Sequence, residues 1–419
     1  MAIVAVALAG VGAFLHVYAP QPLLPLFEQI FHATKAEVGR TISSTALGVA
    51  VSAPLWGALA ERVGRRRVII LANFLLAIPT ILAATSGSLG QLVFWRFLQG
   101  LVVPGIFAVT IAYVTEEWPR TRAPQVLSFY VSGTVLGGVL GRAVIGIAAV
   151  HHLLPFVQPN WRNGFVAIGL FDLFFGFVLL RWLPRDSPLP ANADRGSNLM
   201  RHFRNPQLIS VFAVGFNVLF TLVAAFSYVT FYLVAPPFSL TATMLSATFC
   251  VYLVGLIVTP LGGMWISRVG SRRALVVAIS TGVAGILMTL VPHIAVVLLG
   301  LAICCSGVFV CQSASTSYIQ RVAQSGGRAS AAGLYVMFYY AGGSVGGILP
   351  GILWRYGQWK ACVALIVFVQ VLSLTIAASC WKGRESPAGA EARKSPDVLN
   401  ALPSSIALQE LQEAPISRS

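Results

Sequence analysis

The sequence predicts an all-α integral membrane protein with twelve transmembrane helices in two pseudo-symmetric halves of six. Its 419 residues are 57% hydrophobic and 10% charged, with a mean hydropathy of +0.81, whereas soluble domains carry roughly 25% charged residues. Apolar runs long enough to cross about 30 Å of hydrocarbon recur along almost the whole chain. A basic turn that begins at Gly57, between two such runs, returns at Gly263, 206 residues later.

The twelve runs are separated by short turns, except for a longer polar segment after the sixth. The first run carries prolines rather than a small-residue cleavage site, so we expect a spanning helix and not a signal peptide. Composition predicts six-helix bundles at 1–183 and 208–381, a cytoplasmic linker at 184–207 and a disordered cytoplasmic tail at 382–419. The runs lie at about residues 3–27, 38–59, 68–85, 91–115, 126–148, 161–183, 208–234, 242–266, 274–291, 294–319, 329–352 and 359–381.

The positive charges predict the orientation of the chain. If both termini are cytoplasmic, 21 of the 28 Lys and Arg residues fall in inner segments and five in outer segments, while Arg96 and Arg142 lie inside runs. Cytoplasmic loops are enriched in Lys and Arg, so this skew predicts cytoplasmic termini. The net charge of +15 does not indicate nucleic-acid binding, because the arginines are spread over short loops.

The repeated turn indicates an internal duplication. Gly57 to Arg67 and Gly263 to Arg273 share a glycine, an arginine, a second glycine and a basic pair at matched positions. The positive-inside tendency accounts for the arginines but not for the matched glycines, and a fixed period is typical of duplication. Two similar halves are a common plan of secondary transporters.

The fifth and eleventh runs extend the repeat with glycines at four-residue spacing. Such spacing lets two helix backbones approach closely. The glycines are predicted either to be packing contacts or to form a slidable interface between the halves. They are Gly133, Gly137 and Gly141 in the fifth run, and Gly342 and Gly346 in the eleventh.

Ionisable residues inside runs are candidates for function, because an unpaired charge at bilayer depth costs several kcal/mol. No acidic residue lies between 195 and 384, and only Asp172 lies deep in a run, about 16 Å from its outer end. Arg96 and Arg142 are predicted to share an outward-facing polar pocket with Asp172. Alternatively, Arg96 caps backbone carbonyls and Arg142 forms a structural pair with Asp172. His16 is either a proton-binding group or a core histidine bonded to a carbonyl.

Further polar side chains inside runs are candidates for a substrate cavity, or else for helix–helix hydrogen bonds. The scarcity of cavity charge favours a neutral, cationic or amphipathic substrate, although an arginine pair is equally suited to an anion. The six cysteines lack metal-ligand spacing with histidine, so no metal and no cofactor is expected. The cavity candidates are Tyr18, Gln99, Asn217, Tyr228, Gln312, Tyr339 and Tyr340.

These motifs resemble those of the major facilitator superfamily over residues 1–381. Gly57 to Arg66 is similar to the loop signature Gly-x-x-x-Asp-Arg-x-Gly-Arg-Arg, with Glu61 in place of aspartate. Arg96, with a glycine four residues later, matches the helix-four signature Arg-x-x-x-Gly.

The branch that the chain most resembles is the twelve-helix drug–proton antiporter-like group, which includes sugar and multidrug efflux proteins of the bacterial inner membrane. The antiporter signature of helix five, Gly-x-x-x-Gly-Pro-x-x-Gly-Gly, is kept only in part. Gly138 stands where proline is expected, and Arg142 replaces the last glycine.

The resemblance implies a conformational latch in the loop after helix two. In the family the loop acid meets the start of helix eleven, and a loop arginine, here Arg65, pairs with Glu116 or Glu117 to stabilise the outward-open state. The arginine of helix four, here Arg96, is implied to aid proton transfer. The latch residues of both halves are Gly57, Glu61, Arg62, Gly64, Arg65, Arg66, Glu116, Glu117, Gly263, Arg268, Gly270 and Arg272.

We therefore expect a monomeric, multi-pass transporter of the bacterial inner membrane that exports a drug, sugar or metabolite in exchange for protons. Proton coupling is expected to use Arg96, Arg142, Asp172 and His16, or Glu28 near the outer end of the first run. An uncoupled uniporter or an importer of the same fold remains an alternative. A membrane enzyme is disfavoured because clustered histidines and acids are lacking, and a channel because no pore helix is visible.

Overall fold

The computed structural model describes residues 1–119, 121–152, 158–186, 199–322 and 328–381, and every regular element in these ranges is helical. Eleven helical segments are long and apolar enough to cross a membrane. The last of them reverses direction and supplies two spans. The helices are α1 (Ala2–Ile30), α2 (Lys35–Val63), α3 (Arg65–Ala83), α4 (Leu89–Glu117), α5 (Gln125–Val150), α6 (Trp161–Trp182), α7 (Pro206–Val234), α8 (Ala242–Val269), α9 (Ser271–Met288), α10 (Ile294–Ile319), α11 (331–356) and α12 (359–380).

The reversal between α11 and α12 occurs at two residues with non-helical backbone angles. Gly357 has φ −170° and ψ 19°, and Gln358 has φ 49° and ψ −134°. Beyond this turn Cys362 Sγ lies 3.4 Å from the carbonyl oxygen of Pro350, so α12 runs back along α11. The predicted twelve-helix fold is therefore confirmed. The predicted tail, 382–419, lies outside the described residues.

Two of the spans contain a 3₁₀ segment. In α1 the regular helix ends at Val17, and a 3₁₀ turn at Gln21–Leu23 follows, where proline rings remove amide donors. In α8 a 3₁₀ segment occupies Phe249–Leu253. Irregular backbone at membrane depth is tolerated where it is buried in protein or lines a cavity. These two interruptions face each other across α5 and supply side chains to the site described below.

The two glycine ladders pack inside their own halves. A Cβ added to Gly133, Gly137 or Gly141 of α5 would overlap backbone oxygens of α1, and one added to Gly342 of α11 would overlap a backbone oxygen of α7. Gly346 packs against the same face of α7. The prediction of a slidable interface between the halves is thus wrong for these glycines, because each ladder meets a helix of its own half. The alternative, a close packing contact, is what the structure contains.

The ends of the bundle differ in charge and in contact between the halves. We call the end that carries the turns 61–67 and 268–273 the basic end, and the other the opposite end. At the opposite end Ser43 of α2 donates a hydrogen bond to the carbonyl of Ser344 in α11, over 2.6 Å. Nearby, a Cβ on Gly39 would overlap the carbonyl oxygen of Gly347. The halves are therefore in backbone contact at the opposite end.

At the basic end the same two helices lack such contact. A Cβ at Gly57 of α2 or at Gly333 of α11 would meet no neighbouring atom within 4 Å. The hydrogen bonds that join described residues of the two halves involve Gln21, Ser43, Tyr228 and Arg142, none of which lies in the basic-end half of α2. Over the described residues, the helices thus meet at the opposite end and are apart at the basic end.

Candidate functional site

Arg142 lies at the centre of the bundle, between the halves, and is 1% exposed. Its Nε donates to Gln21 Oε1 over 2.8 Å, and its Nη1 donates to the carbonyl of Gly138, one turn earlier in α5, over 2.6 Å. Gln21 in turn donates to Ser227 of α7 over 2.9 Å, and Ser246 of α8 donates to the Arg142 carbonyl over 2.9 Å. The guanidinium is therefore held by Gln21 of α1 and by its own helix, and Ser227 and Ser246 connect this position to the second half.

Three aromatic rings surround the same guanidinium group. The Arg142 Cζ atom lies 5.1 Å from the ring centre of Tyr18, 4.8 Å from that of Phe249 and 4.5 Å from that of Tyr252. Such distances are within the range of cation–π attraction. The first ring comes from the interruption in α1 and the other two from the interruption in α8. The irregular backbone thus places the rings around the charge.

Two of these three rings belong to tyrosines, Tyr18 and Tyr252, whose hydroxyl groups can donate hydrogen bonds. Tyr339 and Tyr340 of α11 pack against each other, with their ring centres 5.3 Å apart. The Arg142 Nη2 atom is buried without a hydrogen-bond partner among the described residues. The guanidinium group therefore keeps one unused donor between the halves.

His16 and Asp172 form a second buried site, within the first half. The His16 Nε2 atom lies 2.7 Å from Asp172 Oδ2, and both side chains are fully buried. His16 Nδ1 donates to the carbonyl of Gly12 over 2.9 Å, because a carbonyl oxygen accepts only. Two acceptors at 2.7 Å would repel each other, so one proton lies between Nε2 and Oδ2. The Asp172 Oδ1 atom has no hydrogen-bond partner.

A hydrogen-bonded chain links Arg96 to the neighbourhood of Asp172. Arg96 donates to the carbonyls of Thr41 and Val17 over 3.0 and 2.8 Å, and also to Gln99 Oε1. Gln99 Nε2 then donates to Thr80 Oγ1 over 3.0 Å. Thr80 lies beside Asp172, although its own hydroxyl donates to the helix backbone. Arg96 therefore fixes α1, α2 and α4 together, and Gln99 and Thr80 lie between it and the His16–Asp172 pair.

The basic turn of the first half is joined to the end of α4. Arg65 forms an ion pair with Glu116, one of the two partners that the sequence allowed. Glu61 is exposed and has no hydrogen bond or ion pair among the described residues, and Arg62 and Arg268 are exposed as well. The arginine–glutamate contact is therefore present, whereas the start of the eleventh helix, which the loop acid would meet, borders residues 323–327, outside the described part of the chain.

Arg66 attaches the same turn to the end of α6. Its guanidinium donates to the carbonyls of Leu183 and Leu180 over 2.8 and 2.6 Å, and its backbone amide donates to Asp186 Oδ1 over 2.9 Å. The turn depends on Gly64, whose φ of 101° is rarely adopted by other residues. Asp186 thus accepts from the first turn of α3, where an anion is favoured.

The second half repeats the arrangement without the acid. Gly270 has φ 86°, and Arg272, two residues later, donates to the carbonyl of Ala378 in α12 over 3.1 Å. Arg321, two residues beyond α10, donates to Ser271 Oγ over 2.7 Å. The arginine two residues after the turn glycine therefore anchors α3 to α6 and, equivalently, α9 to α12.

The sequence profile of the Major Facilitator Superfamily matches residues 6–347 and 238–416 of this chain. The chain belongs to the Major Facilitator Superfamily. It is 31% identical over 370 residues to the uncharacterized MFS-type transporter YybF of Bacillus subtilis, covering 87% of this chain and 90% of that protein. It is 29% identical over 375 residues to the inner membrane transport protein YnfM of Escherichia coli, covering 88% and 87%.

Solved structures agree on the fold of this major facilitator. The crystal structure of the nucleoside transporter NupG superimposes with a TM-score of 0.76 at 12% identity, covering 91% of this chain and all of the other. A likeness at this identity indicates the shared fold alone. The protein is therefore a multi-pass membrane transporter and not an enzyme.

In this major facilitator the predicted cluster of Asp172 with two arginines is not formed. Asp172 contacts His16 instead, and no ion pair joins it to Arg142 or Arg96. The structural pair of Arg142 and Asp172 is equally absent, because Arg142 lies between the halves whereas Asp172 lies within the first. The alternative for Arg96, capping of backbone carbonyls, agrees with its contacts.

The predicted cavity residues have different surroundings. Tyr18 lies against Arg142, Tyr339 and Tyr340 pack against each other on α11, and Gln312 is half-buried on α10. The remaining three, Gln99, Asn217 and Tyr228, are correctly placed inside helices but bonded elsewhere. Gln99 binds Arg96, Asn217 accepts from Thr221 within α7, and the Tyr228 hydroxyl donates to the Gly347 carbonyl over 2.6 Å.

Sequence reasoning missed several residues that complete these sites. Gln21 and Tyr252 contact Arg142, Thr80 lies next to Asp172, and Asp186 binds the basic turn. The proline cluster around Gln21 was a usable signal, because it predicts irregular backbone inside a span. Tyr252 and Thr80 carry no such signal, since a tyrosine or threonine in an apolar run is common.

Proposed function

We propose that this transporter exports a small organic solute in exchange for protons, with the His16–Asp172 pair as the proton-binding site and both termini in the cytoplasm. The observation that carries the proposal is the 2.7 Å contact between His16 Nε2 and Asp172 Oδ2 in a fully buried setting. Export rather than import is supported by the resemblance to the drug–proton antiporter-like branch.

The contact makes proton binding and local geometry depend on each other. With the proton between Nε2 and Oδ2 the pair has no net charge, and without it the pair carries one negative charge inside the bundle. A buried net charge is costly, and the two bare acceptors repel each other. Loss of the proton therefore favours separation of α1 from α6, or a change of the histidine tautomer at the expense of the bond to Gly12.

Movement of α1 is transmitted to the centre of the protein. Gln21 and Tyr18, which hold and cover Arg142, lie in the interruption of the same helix that carries His16. Arg96 binds the carbonyl of Val17 in that helix as well. A proton on His16–Asp172 thus acts on residues of the central site, which is what coupling between proton and solute requires.

The contacts between the halves fit one state of alternating access. We infer that the basic end faces the cytoplasm, since positive residues are retained there. The described conformation, joined at Gly39 and Gly347 and apart at the basic end, is then inward-facing. In this state an exporter loads its solute. Rocking of the halves about the centre exposes the site to the other side.

The test uses purified protein in liposomes. A ligand is first identified by thermal-shift screening against sugars, drugs and organic anions, and its transport is then followed under an imposed pH gradient. We expect proton movement opposite to that of the ligand, and loss of ligand accumulation when nigericin collapses the gradient. Transport that is unchanged by nigericin would identify a uniporter, and movement of both in the same direction an importer.

A further inference from the structure

We propose that Arg142 binds the carboxylate of an organic-anion substrate at the centre of the bundle, with an apolar or aromatic body seated among the surrounding tyrosines. The inference rests on the proposed transport of a small organic solute and names its chemical class. Its basis is the combination of a buried cation without a counter-ion among the described residues, an unpaired guanidinium nitrogen, and two tyrosines beside it.

Arg142 has no acidic partner among the described residues. The ion pairs among the described residues are those of His16 with Asp172, Lys35 with Glu28 and Arg65 with Glu116. The second half, which faces Arg142, contains no carboxylate at all between residues 195 and 384. A cation inside a membrane protein is costly unless it is paired or neutralised, so this position favours a ligand that brings a negative charge.

The guanidinium group is oriented for such a ligand. Nε and Nη1 are occupied by Gln21 and by the Gly138 carbonyl, whereas Nη2 is buried without a partner. A carboxylate accepts from a guanidinium in short, charge-assisted hydrogen bonds. Because two of the three nitrogens are held by the protein, little further ordering of the side chain accompanies binding.

The rings around Arg142 compensate its charge only in part. Tyr18, Phe249 and Tyr252 lie within 5.1 Å of the Arg142 Cζ atom, but cation–π attraction is weaker than a desolvated ion pair. The rings come from both halves, and Arg142 is 1% exposed. Displacement of a ring, that of Tyr18 or Tyr252, therefore accompanies entry of the carboxylate, and this displacement links ligand binding to the interface between the halves.

The tyrosine hydroxyls favour an acceptor-rich ligand over a cation. The rings of Tyr18 and Tyr252 lie within 5.1 Å of the Arg142 Cζ atom, and each hydroxyl can donate to an oxygen. A cationic solute would meet the Arg142 charge without an acid to offset it. A neutral solute would leave the buried charge unchanged. An organic carboxylate satisfies both the cation and the hydroxyls.

The experiment measures charge selectivity on the purified full-length protein. Binding of benzoate and hexanoate is compared with that of their neutral counterparts, benzamide and hexanamide, by thermal shift and by calorimetry. We expect the carboxylates to bind about tenfold or more tightly than the amides, as for hydrogen bonds to a charged group. Arg142→Gln is expected to remove this preference, and Arg142→Lys to keep part of it. Arg355→Gln, at the surface of the opposite end, is the charge-matched control and is expected to retain it.

Equal binding of acids and amides, absence of binding by either carboxylate, or an unchanged preference in a folded Arg142→Gln protein would each overturn the proposal. If Arg142→Gln does not fold, Tyr252→Phe supplies the second variant, since loss of one hydroxyl donor is expected to weaken benzoate binding more than benzamide binding. The proposed proton coupling is judged separately. Benzoate binding through Arg142 together with transport insensitive to nigericin would keep the anion site and reject the coupling.

Discussion

The backbone amide of Arg66 donates a hydrogen bond to Asp186 Oδ1 over 2.9 Å, and this bond ties the first turn of α3 to the chain that leaves α6. The Arg66 side chain binds two carbonyls of the same region. In the second half Arg272 makes the equivalent side-chain contact to Ala378, but the sequence there offers no acid. In both halves an arginine side chain therefore attaches the turn to a neighbouring helix end. Only the first half adds an acid, Asp186, that accepts from the helix N-terminus.

Replacement of Asp186 by alanine is expected to destabilise the first half by about 1 kcal/mol, the usual effect of losing a side-chain acceptor at a helix N-terminus. Thermal unfolding in detergent measures the change. Asp186→Asn is the matched control, since an amide oxygen still accepts from the Arg66 amide, and it should lie close to the wild type. Equal unfolding temperatures for the alanine and wild-type proteins would contradict the prediction.

The Arg65–Glu116 pair is expected to bias the conformation more than the stability. Glu116 is exposed, and surface ion pairs contribute about 0–1 kcal/mol. Arg65→Glu should therefore leave the unfolding temperature nearly unchanged but slow transport, because two acids then repel at the turn. Distances between spin labels placed at the basic ends of α2 and α11 report the conformational equilibrium.

Exchange of the two charges, with Arg65→Glu and Glu116→Arg together, provides the control for that experiment. The double variant restores attraction between the positions and is expected to recover the wild-type distance distribution and transport. If the single and double variants behave alike, the attraction between these two residues does not control the conformational equilibrium.

Asp172→Asn is expected to uncouple transport from protons while preserving the fold. The amide has nearly the size of the carboxyl group and still meets His16, but its side chain cannot take up or release a proton at this site. Accumulation driven by a pH gradient should be lost, while exchange of labelled for unlabelled ligand at equal pH continues. His16→Gln is expected to give the same separation of the two activities.

Glu28→Gln is the control for the proton site, since Glu28 pairs with Lys35 away from His16 and Asp172. This variant is expected to keep accumulation that responds to the pH gradient. Accumulation that persists in Asp172→Asn and is lost in Glu28→Gln would move the proton site to the outer end of α1.

Gly39→Ala is expected to prevent closure of the opposite end. Its Cβ would overlap the carbonyl oxygen of Gly347 and lie 2.7 Å from the Tyr228 hydroxyl, so α2 and α11 must separate. The labelling rate of a cysteine introduced at Ser43 should rise, because this side chain lies in the same contact. Gly90→Ala is the matched control, since a Cβ there meets no atom within 4 Å. An unchanged labelling rate in Gly39→Ala would show that the contact of Gly39 with Gly347 does not close the opposite end.

The sequence alone sufficed for the twelve spans and the matched basic turns. Hydropathy and the period of the internal repeat are properties of the chain itself. A helix in lipid must also form its backbone hydrogen bonds internally, whichever helices it packs against. The pairing of Arg65 with an acid ending α4 was equally predictable once the loop motif was recognised. These features depend on residues near in sequence or on a repeated pattern.

Only the tertiary structure decided which buried groups meet. His16 and Asp172 are 156 residues apart, and three isolated charges in apolar runs are compatible with several pairings. The rotation of each helix about its axis settles the choice, and packing against neighbouring helices sets that rotation. For the same reason the glycine ladders were recognisable as close contacts, but only packing showed that α5 meets α1 and that the second half leaves Arg142 without an acid.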